Sequence, residues 1–133
     1  MLKARLGKEV VLRVENEVGV LDQIARTVAE KGVDVVATCA WVEGPLAVVH
    51  LVTDDNRRVV DALRSKNYAP KEADVVLTEV PHKPGMLRHI TERLAREGVD
   101  IHHLYASTTS EQGESLIVLA TAKNDHAVVQ LNT

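Results

Sequence analysis

GVLDQIARTVAEKGVD, Gly19 to Asp34, returns later in the chain as GMLRHITERLAREGVD, Gly85 to Asp100. In one register Gly19, Leu21, Ile24, Ala29, Gly32, Val33 and Asp34 are matched by Gly85, Leu87, Ile90, Ala95, Gly98, Val99 and Asp100. That many identities at a constant offset mark an internal duplication. The echo resumes after a slightly longer turn in the second copy, where LAVVHLVTDD from Leu46 is answered by LIVLATAKND from Leu116.

Both copies have one grammar. Val10 to Val14 is β-branched and reads as a strand; Leu21, Ile24, Ala25 and Val28 then fall at helical spacing, and Gly32 is placed to end the helix at C′. Asp22, Arg26 and Glu30 lie four apart on the opposite face, as do Arg88, Glu92 and Arg96, which predicts a solvated face with local ion pairs. Val33 to Val42 is a second strand. Gly44-Pro45 in copy one and Glu111-Gln112-Gly113-Glu114 in copy two carry turn chemistry, so strands two and three pair as hairpins. Asn56 to Lys66 supplies a second helix through Val59, Val60 and Leu63. The unit is βαββαβ, and the fold class is α+β: two ferredoxin-like units in tandem, with antiparallel sheets and helices on one face.

The first unit is assigned to residues 1–72 and the second to 73–133. Tyr68 to Val80 must finish one and begin the other, as two short strands or one long shared strand. The second copy ends early: NDHAVVQLNT begins its last helix and leaves its sheet one strand short. A partner chain or the long junction strand is expected to cover that edge. Strand three is apolar on both faces, through Val48, Val49, Leu51 and Val52 and again through Leu116 to Ala122. The helix-free face is therefore expected to be buried, with a homo-oligomer, a dimer in the simplest case, as its cover.

With the repeat in view, the chain resembles the ACT domain, a small-molecule-sensing module, here in tandem. The resemblance rests on N-x-x-G-V-L (Asn16, Gly19, Val20, Leu21) and P-H-K-P-G-M-L (Pro81 to Leu87), each followed by an amphipathic helix, Gly-Val-Asp and a hairpin. It covers nearly the whole chain, which also looks like free-standing double-ACT proteins. VENEVGVL, Val14 to Leu21, is similar to the small regulatory subunit of acetohydroxyacid synthase. The resemblance implies a regulator without catalysis of its own, binding an amino acid or related metabolite where domains or subunits meet and relaying occupancy to a partner. Two alternatives stand beside it: a dedicated regulatory subunit of an amino-acid biosynthetic enzyme such as that synthase, and a ligand-free dimerisation scaffold. Two features depart from the pattern: Val18 where the second copy has Pro84, and the missing final strand.

The expected ligand-binding residues are Asn16, Glu17, Val18, Gly19, Val20 and Leu21 in copy one and His82, Lys83, Pro84, Gly85, Met86 and Leu87 in copy two. A glycine turn lets backbone approach a ligand, and the first N–H groups of a helix suit a carboxylate. The Asn16 amide can accept from an ammonium. Against this, Asn is a common N-cap. If Pro84 takes the first helical position, Lys83 and by alignment Glu17 are the caps, and Asn16 falls one residue too early. Cys39, among Ala37 to Ala40, and Tyr105, among His103 to Ala106, lie on second strands positioned to face the site; Trp41 is read as packing.

A net charge of −3 with both signs scattered, no Phe, one Trp and two Tyr argue against nucleic acid or an anionic membrane as partner. No apolar run approaches a membrane span, the start lacks the h-region of a secretory signal, and the single Cys39 cannot staple the chain, so a cytoplasmic protein is expected. The six histidines lack ligand spacing, and no nucleophile has an evident base; no metal, cofactor or enzymatic activity is expected.

Overall fold

The computed structural model describes residues 2–107 and 113–133; Glu111 and Gln112 of the second expected turn lie outside the described residues. The chain divides into two compact units, Lys8–Ala73 and Met1–Gly7 with Asp74–Thr133. The described residues form six strands and four helices in the expected α+β order. None of these helices is long and apolar enough to cross a membrane.

In the first unit β1 (Lys3–Glu15), contributing from Lys8 onward, is followed by α1 (Val20–Glu30), β2 (Val35–Glu43), β3 (Leu46–Thr53) and α2 (Asn56–Ser65). Its sheet runs β2-β3-β1, antiparallel throughout. One face packs on the helices. Val10 and Leu12, Val49 and Leu51, Ile24 and Val28, and Val59 and Leu63 form the core, each of these pairs coming from one element at strand or helix spacing. Gly32 follows the α1 C-cap at φ 67°, as its predicted C′ role requires. The charged face of α1 carries an Asp22–Arg26 pair at 3.0 Å.

The second unit repeats this plan with β4 (Lys71–Pro81), α3 (Met86–Arg96), β5 (Ile101–Ser107), β6 (Glu114–Thr121) and α4 (Asn124–Leu131). The junction is thus one long strand, not two short ones. Ile90, Leu94, Ile117, Leu119, Ala127 and Leu131 occupy the core. A clasp recurs in both units. Asn56 Oδ1 accepts from the Thr53 hydroxyl at 2.6 Å and its Nδ2 donates to the Lys8 carbonyl at 2.9 Å; Asn124 does the same with Thr121 at 2.7 Å and Asp74 at 3.2 Å.

The edge expected to be open in the second unit is covered by the chain's own beginning. The order there is β1-β4-β6-β5, with the head of β1 belonging to this unit rather than to the first. Leu2 and Ala4 pack on its core, Arg5 lies 3.7 Å from Glu79, and Asn132 both accepts from Ala4 N–H and donates to Ala4 C=O at 2.8 Å. Gly7 lies so close to Leu77 that an added Cβ would sit 2.5 Å from Leu77 Cδ1.

Because Val49 and Leu51 face the helices, Val48, His50 and Val52 point to the helix-free face of the first sheet. They are nonetheless buried within the single chain, as is Val118 in the second unit. A second copy is not needed to cover these residues. His50 Nδ1 lies 3.0 Å from Glu9 Oε1, and its ring stacks on Trp41 with centroids 5.2 Å apart, which accounts for the packing role read for that tryptophan.

Candidate functional site

The approach to α1 decides what Asn16 can do. The N-cap is Gly19, with φ 90° and ψ 0°, and no side chain caps the helix; Gly85 does the same for α3 with φ 90° and ψ −5°. A backbone in this left-handed region suits glycine and strains valine, proline or glutamate, so each helix starts after its glycine. This corrects the expected caps, Glu17 and Lys83, by two residues and moves Pro84 outside the helix. Asn16 then stands three residues ahead of the cap. Its backbone N–H donates to Pro45 C=O at 2.9 Å, and its exposed side chain makes no hydrogen bond among the described residues. His82 repeats the backbone bond, donating to Gly113 C=O at 2.9 Å.

Around this turn the first unit has a cleft of about 390 Å³. The turn contributes Asn16, Glu17 and Gly19; α1 contributes Val20, Leu21 and Asp22; β2 contributes Ala40, Trp41 and Val42; β3 contributes Ala47 and Val49. Apart from Trp41 the strand residues of the lining are aliphatic, and the polar side chains come from the turn and the first turn of α1. Ala40 and Val42 alternate with Trp41, which faces His50 across the sheet, so residue 41 borders the cleft along the outer edge of β2. Val20 N–H donates to Glu17 C=O at 3.1 Å and Gln23 N–H to Gly19 C=O at 3.0 Å. The N–H groups of Leu21 and Asp22 fall before the first full helical bond and have no helical acceptor.

The second unit has a smaller counterpart of about 340 Å³, lined by Leu2, Lys83, Pro84, Gly85, Met86 and His89. Its walls include the start of the chain in place of strand residues. A third groove, of about 480 Å³, runs along the other side of α1 between Asp22, Gln23, Arg26, Glu30, Lys66 and Tyr68. Four of its polar side chains are engaged in pairs, Tyr68 Oη donating to Gln23 at 3.1 Å and Arg26 pairing with Asp22. An apolar hollow with a few uncommitted polar groups is the better small-molecule site, and the first cleft fits that description.

Five of the six residues expected in copy one line this cleft; Val18 points fully into solvent and does not. Cys39 does not line it either. In copy two Lys83, Pro84, Gly85 and Met86 come together, whereas His82, exposed Leu87 and buried Tyr105 lie apart from the cleft. Tyr105 stacks on His103 at 6.1 Å. Asp22, Trp41, Val42, Ala47 and Val49 were missed as lining residues in copy one and Leu2 and His89 in copy two. The β2 and β3 residues follow from hairpin register, which brings Val42 opposite Ala47. Nothing in the sequence near Leu2 announces its position. The remaining histidines with carboxylate neighbours are surface pairs, His102 at 3.7 Å from Asp100 and His126 at 3.4 Å from Glu97.

Residues 77–132 match the family model described as an AHAS small subunit-like ACT domain, AHAS being acetohydroxyacid synthase. Comparison with curated proteins gives no match. Among solved structures, a protein from Bacteroides thetaiotaomicron is similar with a TM-score of 0.88 at 22% identity, over 97% of this chain and 88% of that one. The ligand-free regulatory subunit of aspartate kinase from Thermus thermophilus gives 0.68 at 14% identity, over 97% and 94%. A putative C-terminal regulatory domain of aspartate kinase from Porphyromonas gingivalis gives 0.60 at 14%, over 99% and 94%. At these identities the likeness to solved structures is one of fold.

Proposed function

We propose that the chain is a tandem of ACT units, its residues 77–132 matching the family model and its first unit repeating the same fold, and that it is a regulatory protein that senses an amino acid or a closely related metabolite. The observation that carries this reading is the first-unit cleft, lined by Asn16, by Leu21 and Asp22 whose N–H groups have no helical acceptor, and by a largely aliphatic wall. A zwitterion needs a donor set and an acceptor set about one residue apart, and the α1 turn offers both. The matched family and the aspartate-kinase neighbours are regulatory, not catalytic, domains, which supports a role without chemistry.

Occupancy would act by population shift, since a ligand that prefers one arrangement raises its share in proportion to that preference. The relay surface we favour is β2, the outer strand of the first sheet and one wall of the cleft. Its Val35, Val36, Trp41 and Val42 are exposed, so ligand and partner would share one element. The partner is then a second copy or a biosynthetic enzyme. Such a protein would work in the cytoplasm, where free amino acids report on supply.

A thermal-shift screen of the standard amino acids tests the proposal. One or a few of them should raise the melting temperature of the wild-type protein at millimolar concentration and leave Asn16→Ala unprotected. No shift with any amino acid would reject it in favour of a scaffold without ligand.

A further inference from the structure

The duplication conserved the backbone of the α1 and α3 turns and reversed their charge. Glu17 aligns with Lys83, Asp22 with Arg88, Asn16 with His82 and Gln23 with His89, while both N-cap glycines keep a φ of 90°. The first cleft accordingly has Glu17 and Asp22 on its rim and no Lys, Arg or His in its lining; the second has Lys83 and His89 and no acid. The two acids of the first cleft are not equivalent. Asp22 is neutralised by Arg26 at 3.0 Å, whereas the Glu17 carboxylate makes no hydrogen bond or ion pair among the described residues. Its backbone carbonyl is fixed by Val20 N–H, so the residue is held at the cleft while its charge stays uncompensated.

We infer that Glu17 selects for an ammonium group, so that the first cleft holds amines and amino acids with apolar bodies, rejects the matching 2-oxo acids, and is not duplicated in the second unit. This rests on the sensing proposal and narrows its ligand. The aliphatic side chains of Val20, Leu21, Val42 and Val49 take the ligand's body. The carboxylate of an amino acid meets the free N–H groups at the start of α1, while its ammonium meets Glu17 in a charge-assisted hydrogen bond. A 2-oxo acid keeps the negative charge, loses the ammonium and is repelled by Glu17. An amine keeps the ammonium and loses only the carboxylate contact. In the second unit the Lys83 charge sits where Glu17 does in the first, which excludes the same ammonium.

Three probes with one isobutyl body separate these terms: leucine, 3-methylbutylamine and 4-methyl-2-oxopentanoate. Titration calorimetry on the full chain should give one leucine per chain, weaker binding of the amine and none of the oxo acid. Glu17→Lys should lower leucine and amine affinity by about tenfold or more and admit the oxo acid, with Glu17→Gln between the two. Both variants change one exposed side chain and are expected to melt like the wild type. If leucine binds but the oxo acid binds equally, or if Glu17→Lys leaves the ranking unchanged, the inference is overturned and the sensing proposal survives. The same holds if two leucines bind per chain, or if the amino-acid screen returns only ligands with charged side chains. If no amino acid binds at all, both fall.

Discussion

At Gly19 and Gly85 a methyl added to the backbone would meet no atom within 4 Å, so substitution there is opposed by conformation alone. Gly19→Ala should cost about 1–2 kcal/mol, the strain of holding an L-residue in the left-handed region, and urea unfolding of the variant will read it. Asn16 presents the opposite case. Among the described residues no cap and no side-chain hydrogen bond is lost with its amide, so Asn16→Ala should change stability by less than about 0.5 kcal/mol while removing ligand protection. A loss of stability well above that, with protection intact, would assign Asn16 to the turn and not to the site. The sequence posed this question without resolving it. Pro84 pointed to a helix start two residues early because proline favours N1, but the positive φ at the following glycine outweighs that preference.

Among the elements, β1 departs most from what its residues suggest. Its second half carries the β-branched run from Val10 to Val14 and is plain in the sequence; its first, KARLG, mixes charges with a glycine and gives no clear period. Membership of a sheet is decided by partners far along the chain, and the bond between Ala4 and Asn132 has no local signature. The helices, hairpins and terminal glycines were legible because they are set by neighbours within a few residues. Two consequences can be measured. Asn132→Ala removes two hydrogen bonds and should destabilise the second unit by about 1–2 kcal/mol, with faster amide exchange at Ala4 to Gly7. Gly7→Ala forces a methyl onto Leu77 and should cost about 1–3 kcal/mol, part of which Gly7→Ala with Leu77→Val would recover. An unaffected Gly7→Ala protein would mean that Leu77 can move away freely.

For the whole molecule, the duplication gives two units of one design with different chemistry at equivalent turns. The first cleft borrows its wall from β2 and β3; the second takes Leu2 from the start of the chain. That difference was hidden in the sequence, where both turns read as N- or H-x-x-G followed by the same helix. Val48, Val52 and Val118, whose hydropathy suggested cover by a second copy, are already buried within one chain, and the exposed residues of β2 are the surface proposed above for a partner. The central claim is that the first cleft binds an amino acid through the Asn16 turn. Its most direct test is thermal unfolding of wild type and Asn16→Ala, each with and without the amino acid the screen returns at about a hundredfold its Kd. Stabilisation of roughly 2.7 kcal/mol, a shift on the order of 10 °C, is predicted for the wild type, and almost none for the variant. Equal shifts in the two proteins would contradict the claim.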